Sequence, residues 1–254
     1  MTPSDRPVVL VTGASGGVGR GIALACAAAG WTVWIAARRP IEGRQVADEV
    51  NDAGGRGRFV ACDVGDEASV AAAVALVVDR DGRLSGVVHN ATSGLSPLPV
   101  DPRTVSMVDL RDHVVVSLRG AYLLARYSHP HLVGSHGSMV LLTSEAGFEG
   151  KARLAPYASV KAAIRGLARV WAREWGPDGV RVNCVAPLAY SPAVEVAFAK
   201  DESMAARVLG NNPMGRLGDA MTDIGPVVRF LLSEDARYVT GATLMADGGS
   251  RPIS

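Results

Sequence analysis

Short runs rich in Val, Ile and Leu alternate with longer Ala-rich amphipathic stretches along the whole chain. Val8–Val11, Thr32–Ala36, Arg58–Cys62, Gly86–His89, Ser138–Leu142 and Arg181–Val185 read as strands, with a last one around Ala242–Ala246. Their apolarity is nearly continuous rather than alternating, as parallel strands covered on both faces require. The segments near 18–28, 43–53, 67–79, 104–127, 157–175 and 222–232 carry helical spacing. This alternation predicts right-handed crossovers and an α/β fold: a doubly wound, Rossmann-like parallel sheet of about seven strands with helices on both faces. No repeat, linker or composition break divides residues 1–254, so one domain is expected. Two irregular segments rich in Pro, Gly and Asn, near 92–103 and 188–217, follow strands. Both fall at the carboxyl edge of the sheet, where such folds bind ligands, and are the expected substrate loops.

Composition narrows the function classes. Lys and Arg number 26 against 25 acids, and the basic residues are scattered, so neither nucleic acid nor an anionic membrane is an expected partner. The uncharged stretch Gly21–Ala37 is broken at Gly30 and changes texture there. It reads as a buried helix, a turn and a buried strand, not a membrane span. Cys26, Cys62 and Cys184 lie far apart in apolar runs, which suits free thiols in a reducing compartment, and a cytoplasmic location is expected.

Candidate chemistry begins directly after the first strand, at Thr12-Gly13-Ala14-Ser15-Gly16-Gly17-Val18-Gly19. Glycines allow a tight turn and close backbone approach to a pyrophosphate, and the helix that follows offers free N–H groups and a positive dipole end. The spacing of Gly13, Gly17 and Gly19 is TGxxxGxG. At the end of the second strand, where a carboxylate would bind the ribose 2′-hydroxyl of NAD, the chain reads Ala37-Arg38-Arg39. A guanidinium there suits a 2′-phosphate, which favours NADP(H) over NAD(H) with Arg38 as the main contact and Arg39 stacking on adenine.

Tyr157 and Lys161 are four residues apart at the start of a helical segment, so both side chains share one face. A free tyrosine ionises near pH ~10, and a neighbouring cation is needed for acid–base work at neutral pH. Ser144, at the end of the fifth strand, offers a hydroxyl to a substrate oxygen.

Together these residues resemble the short-chain dehydrogenase/reductase family in its compact form, over essentially the whole chain. The resemblance implies that Gly13, Ser15, Gly17, Val18, Gly19, Arg38, Asp63, Val64, Asn90, Tyr157, Lys161 and Pro187 hold the cofactor. In it, Asp63 of Cys62-Asp63-Val64 would accept from the adenine amine. It also implies a mechanism in which Ser144 polarises a carbonyl, Tyr157 gives or takes the proton, and Lys161 holds the ribose and lowers the tyrosine pKa. Arg181–Pro187 resembles the sixth strand and the start of the nicotinamide contact. Asp247-Gly248-Gly249 resembles the strand exit of tetrameric members, so a homotetramer or homodimer is expected.

Three positions depart from the family pattern. Ser117 replaces the asparagine that helps hold a relay water, Thr92 replaces a glycine after Asn90-Ala91, and Leu188 replaces a glycine after Pro187. Ser117 is still the expected relay residue, with Ser191 the nearest hydroxyl to a missing threonine.

His89, His113, His129, His131 and His136 show no metal-ligand spacing, and none is expected to bind one. His129-Pro130-His131 is expected in a helix-to-strand connection. Trp171 and Trp175 are expected to pack a core or a subunit interface, and Glu145 and Glu149 to be solvated. Tyr190, Pro192, Val194, Val196 and Phe198 give the second loop an apolar cast. The expected activity is NADP(H)-dependent reduction of a small-molecule carbonyl, or oxidation of the alcohol. The alternative is an NADP(H)-binding sensor or scaffold with little turnover.

Overall fold

The computed structural model describes residues 6–96, 98–191, 194–195, 198–199 and 202–251. Seven parallel strands form one sheet: β1 (Val8–Thr12), β2 (Thr32–Ala37), β3 (Arg56–Ala61), β4 (Gly86–His89), β5 (Ser138–Leu142), β6 (Arg181–Pro187) and β7 (Thr243–Ala246), in the order β3-β2-β1-β4-β5-β6-β7. The chain winds outward from β1 to β3, then crosses back to lay β4 beside β1, with Val9 opposite Gly86 and Thr12 opposite His89. That reversal opens a crevice at the carboxyl ends of β1 and β4.

Two apolar layers cover the sheet. On one face, α1 (Gly17–Ala27), α2 (Pro40–Asp52) and α9 (Gly225–Leu232) pack Ile22, Val46 and Leu231 over Val9, Ile35 and Val140. On the other, α3 (Glu67–Asp81), α5 (Gly120–Ser135) and α7 (Ala155–Trp175) pack Val74, Leu124 and Ile164 over Leu10, Val87 and Leu141. The five inner strands are buried on both faces, which explains why their sequences show no alternation, while the edge strands β3 and β7 are only partly buried.

The expected elements are present, with informative shifts. β3 begins at Arg56, two residues early. The helix expected over 104–127 is α4 (Met107–His113), a π-helical turn (Val114–Arg119) and α5, running on to Ser135. Pro130 lies inside α5, so His129-Pro130-His131 is helical rather than a connection. A proline marks a helix end only where packing does not hold the flanking turns, and here Leu124 and Leu132 on either side of it are fully buried. His129 faces Trp175, ring centroids 4.5 Å apart, with Nε2 3.6 Å from Asp178. The segment 188–217, expected to be irregular, contains α8 (Glu202–Gly210). Among the described residues no helix is long and apolar enough to cross a membrane.

Candidate active site

A cavity of about 1060 Å³ runs along the carboxyl edge and is lined from every strand end between β1 and β6. Gly13, Ser15 and Val18 come from the turn after β1, Arg38 and Arg39 follow β2, Asp63 and Val64 follow β3, and Asn90 and Thr92 follow β4. Ser144 follows β5, Pro187 and Leu188 end β6, and Tyr157 and Lys161 enter from α7. From the expected substrate loops come Ser96, Pro99, Ser191, Val194 and Phe198. Tyr190 is exposed, while Pro192 and Val196 lie outside the described residues.

The glycine turn is built for a closely approaching ligand. Gly13 has φ 65°, and a Cβ there would come within 2.8 Å of Ala91 Cα. A Cβ on Gly19 would meet Asn90 Nδ2 at 2.5 Å. Gly13, Ser15 and Val18 form the wall, Gly19 packs behind the turn, and Gly17 opens α1 at φ 53° with nothing within 4 Å of where a Cβ would sit. Helix α1 opens at Gly17 with no side-chain cap, so its first N–H groups are left to a ligand. Asn90 donates from Nδ2 to the carbonyls of Thr12 (3.2 Å) and Gly13 (3.1 Å), which makes it the brace of the turn.

At the adenine end, Asp63 accepts from the Gly65 N–H through Oδ1 (2.9 Å), leaving Oδ2 for a donor on the ligand. Arg39 is engaged already: it donates to Ser15 Oγ (3.3 Å) and pairs with Glu42 (3.1 Å). Arg38 is exposed and has no ion pair among the described residues. An uncapped helix end, a sterically enforced turn and a free guanidinium fit a nucleotide phosphate chain.

At the other end, Ser144, Tyr157 and Lys161 come together. Burial raises the Tyr157 pKa, the Ser144 hydroxyl acts against that shift, and Glu145 adds to it. The phenol therefore holds its proton more firmly than a free tyrosine does. Lys161 Nζ sits 5.7 Å from the Tyr157 ring centroid and donates to the Leu142 carbonyl (2.8 Å). Its burial lowers its pKa from 10.5 to about 8. Thr143, whose hydroxyl donates to the Lys161 carbonyl (2.8 Å), anchors that turn of α7 to β5.

Ser117 is placed differently from the expectation. It is fully buried in the π-helical turn and does not line the cavity. Its hydroxyl lies 3.3 Å from that of Thr92, which does line it. The Ser117 carbonyl, a group that can only accept, takes a hydrogen bond from His89 Nε2 (2.9 Å). Burial, then the Lys161 charge, pushes His89 down to about 3, so the ring is neutral with its proton on Nε2. Glu145, expected to be solvated, lines the cavity in an ion pair with Lys151. Sequence reasoning missed Lys151 and Arg153; the only signal was two cations in the short stretch between Ser144 and Tyr157.

The sequence model of a family described as Enoyl-(Acyl carrier protein) reductase matches residues 13–251. An L-fucose dehydrogenase of Oryctolagus cuniculus is 34% identical over 247 residues, covering 96% of this chain and 84% of that one. The chain belongs to the short-chain dehydrogenase/reductase family. A 12alpha-hydroxysteroid dehydrogenase of a Clostridium species is 33% identical over 252 residues, covering 96% of each chain. The crystal structure of a 3-ketoacyl-(acyl-carrier-protein) reductase from Brucella melitensis, complexed with NADH, superposes with a TM-score of 0.87 at 30% identity, covering 96% of this chain and 98% of that one. As a short-chain dehydrogenase/reductase, the protein is an oxidoreductase acting between alcohol and carbonyl with a nicotinamide cofactor.

Proposed function

We propose that the protein reduces a small-molecule carbonyl with NADPH, or oxidises the corresponding alcohol with NADP⁺, using Tyr157 as general acid or base. The observation that carries this reading is the convergence of Ser144, Tyr157 and Lys161 in the same cavity as the glycine turn and Arg38. The nicotinamide, when bound, supplies or receives the hydride. Ser144 Oγ orients and polarises the substrate oxygen. Tyr157, protonated at neutral pH like any tyrosine and held so more firmly by its burial, delivers a proton to that oxygen as negative charge develops. Lys161, with a pKa of about 8, is able to exchange a proton near physiological pH and to restore the phenol. Preference for the 2′-phosphate rests on Arg38, which no carboxylate neutralises among the described residues, and on Ala37 standing where an acid would bind the 2′-hydroxyl.

Assembly with further copies is supported by Tyr122 and Val170, both about half exposed on α5 and α7 beside the stacked Trp171 and Trp175. The deciding experiment follows consumption of reduced nicotinamide by purified protein against ketones, diketones, quinones and acyl thioesters. Turnover is expected, and Tyr157→Phe should lose on the order of a hundredfold or more of it while retaining NADPH affinity. Full activity in Tyr157→Phe removes the tyrosine from its role. Tight NADPH binding with no turnover across the panel favours the sensor or scaffold.

A further inference from the structure

The stretch between Ser144 and Tyr157 contains a residue whose backbone does not suit its side chain. Lys151 to Leu154 form a turn closed by the Leu154 N–H donating to the Lys151 carbonyl (3.2 Å), and Arg153, in its third position, has φ 65°. That left-handed conformation usually belongs to glycine or asparagine, because a Cβ there crowds the next carbonyl. Among the described residues His136 is the other non-glycine at positive φ, and it ends α5. Arg153 is held in place by its carbonyl, which accepts from the Val100 N–H (2.7 Å) and ties the 92–103 loop to this turn. Strain of this kind collects at ligand sites, where the side chain is needed.

The charges lining this end of the cavity single out the same residue. Glu145 and Lys151 neutralise each other. Lys161 is buried and donates to Leu142. Arg153 lines the cavity, is exposed, and has no ion pair or side-chain hydrogen bond among the described residues. Asp101 feels its charge, but that carboxylate is taken by Arg103 at 2.7 and 3.0 Å. The remaining wall is largely apolar, including Pro99, Leu154, Leu188, Val194 and Phe198. An unneutralised guanidinium fork beside apolar walls matches a carboxylate on an apolar body.

We propose that Arg153 binds a carboxylate of the substrate, so that the protein acts on an oxo or hydroxy acid; this rests on reading the cavity as the site of carbonyl chemistry. Arg153→Gly tests it without threatening the fold, since glycine suits φ 65°. Phenylacetate and phenylacetamide, which differ in the carboxylate alone, are titrated calorimetrically into protein loaded with NADPH. Phenylacetate should bind about ten- to a hundredfold more tightly. The preference should vanish in Arg153→Gly, with NADPH affinity unchanged. Equal binding of the two probes by the unaltered protein, binding of neither, or a preference intact in Arg153→Gly each overturns the proposal. Turnover is scored separately. A carboxylate preference without reduction of any oxo acid, ketone or thioester leaves the anion site standing and removes the reductase reading.

Discussion

Replacing Lys161 by methionine separates the cost of burying its charge from everything else the residue does. Lys161 is 4% exposed, and its pKa falls from 10.5 to about 8 in the folded protein. A displacement of that size means that the charged side chain costs the fold about 3 kcal/mol at neutral pH. Below pH 8 the folded and unfolded chains both carry the proton, and the whole cost is present. Between pH 8 and 10.5 the folded chain has lost the proton and the unfolded chain keeps it, so stability rises with pH across that window. Methionine, similar in length and neutral, never carries the cost. It does abandon the hydrogen bond to the Leu142 carbonyl, a loss of about 1–3 kcal/mol that does not depend on pH.

At about pH 6.5 the two effects nearly offset, and Lys161→Met is expected to be as stable as the unaltered protein or up to about 2 kcal/mol more so. The sharper signal is the pH dependence of the difference. From about pH 6.5 to about pH 9.5 the unaltered protein should gain about 2 kcal/mol relative to the variant. Titrations common to both chains cancel in that comparison. Urea unfolding of the cofactor-free proteins at both pH values measures it. A stability gap that does not move with pH, or one that moves in the variant's favour, refutes the assignment of a depressed pKa to Lys161.

Other perturbations follow from the same geometry. Arg38→Ala should weaken NADPH binding by about ten- to a hundredfold and leave NADH within about twofold, measured as dissociation constants; equal affinity of the unaltered protein for both cofactors defeats the 2′-phosphate reading. Gly13→Ala should cost about 2 kcal/mol or more in urea unfolding, because its Cβ meets the Ala91 backbone and its φ is positive; unchanged stability would mean that the turn relaxes freely. Thr92 and Ser117 should be coupled by about 1 kcal/mol in a double-mutant cycle with Thr92→Gly and Ser117→Asn, the double variant being more stable than Ser117→Asn alone; additive effects would show that their hydroxyls only happen to be adjacent.

What the sequence made legible was what depends on period and on order along the chain. Unbroken apolar runs at β1, β2 and β5 announce strands covered on both faces, and the glycine turn announces itself because Gly13, Gly17 and Gly19 follow a strand and precede a helix. Tyr157 and Lys161 are legible together because four residues is one helical turn. One misreading arose where tertiary packing overrides local preference. Pro130 suggests a helix end, yet the buried Leu124 and Leu132 carry α5 past it. At 188–217 the cause is different: the Pro and Gly content of the whole segment hid Glu202–Gly210, a run of good helix formers that is α8.

The departures from the family pattern are instructive because the chain order separates what the fold joins. Thr92 and Ser117, read apart, are two losses: a glycine gains a side chain and an asparagine becomes shorter. In the structure the hydroxyls face each other at 3.3 Å, and the space given up by the shorter residue receives the side chain added by the other. His89 completes the arrangement, since its neutral ring ties the Ser117 carbonyl down from behind. A carbonyl so occupied has one fewer lone pair for a relay water. The hydroxyls presented to the cavity at this point belong to Thr92 and Ser96, 3.2 Å apart, with Ser96 Oγ 3.2 Å from His113 Nδ1. Hydroxyls of the 92–103 loop and of the π-helical turn thus meet at one wall of the cavity, a contact that neither segment shows alone.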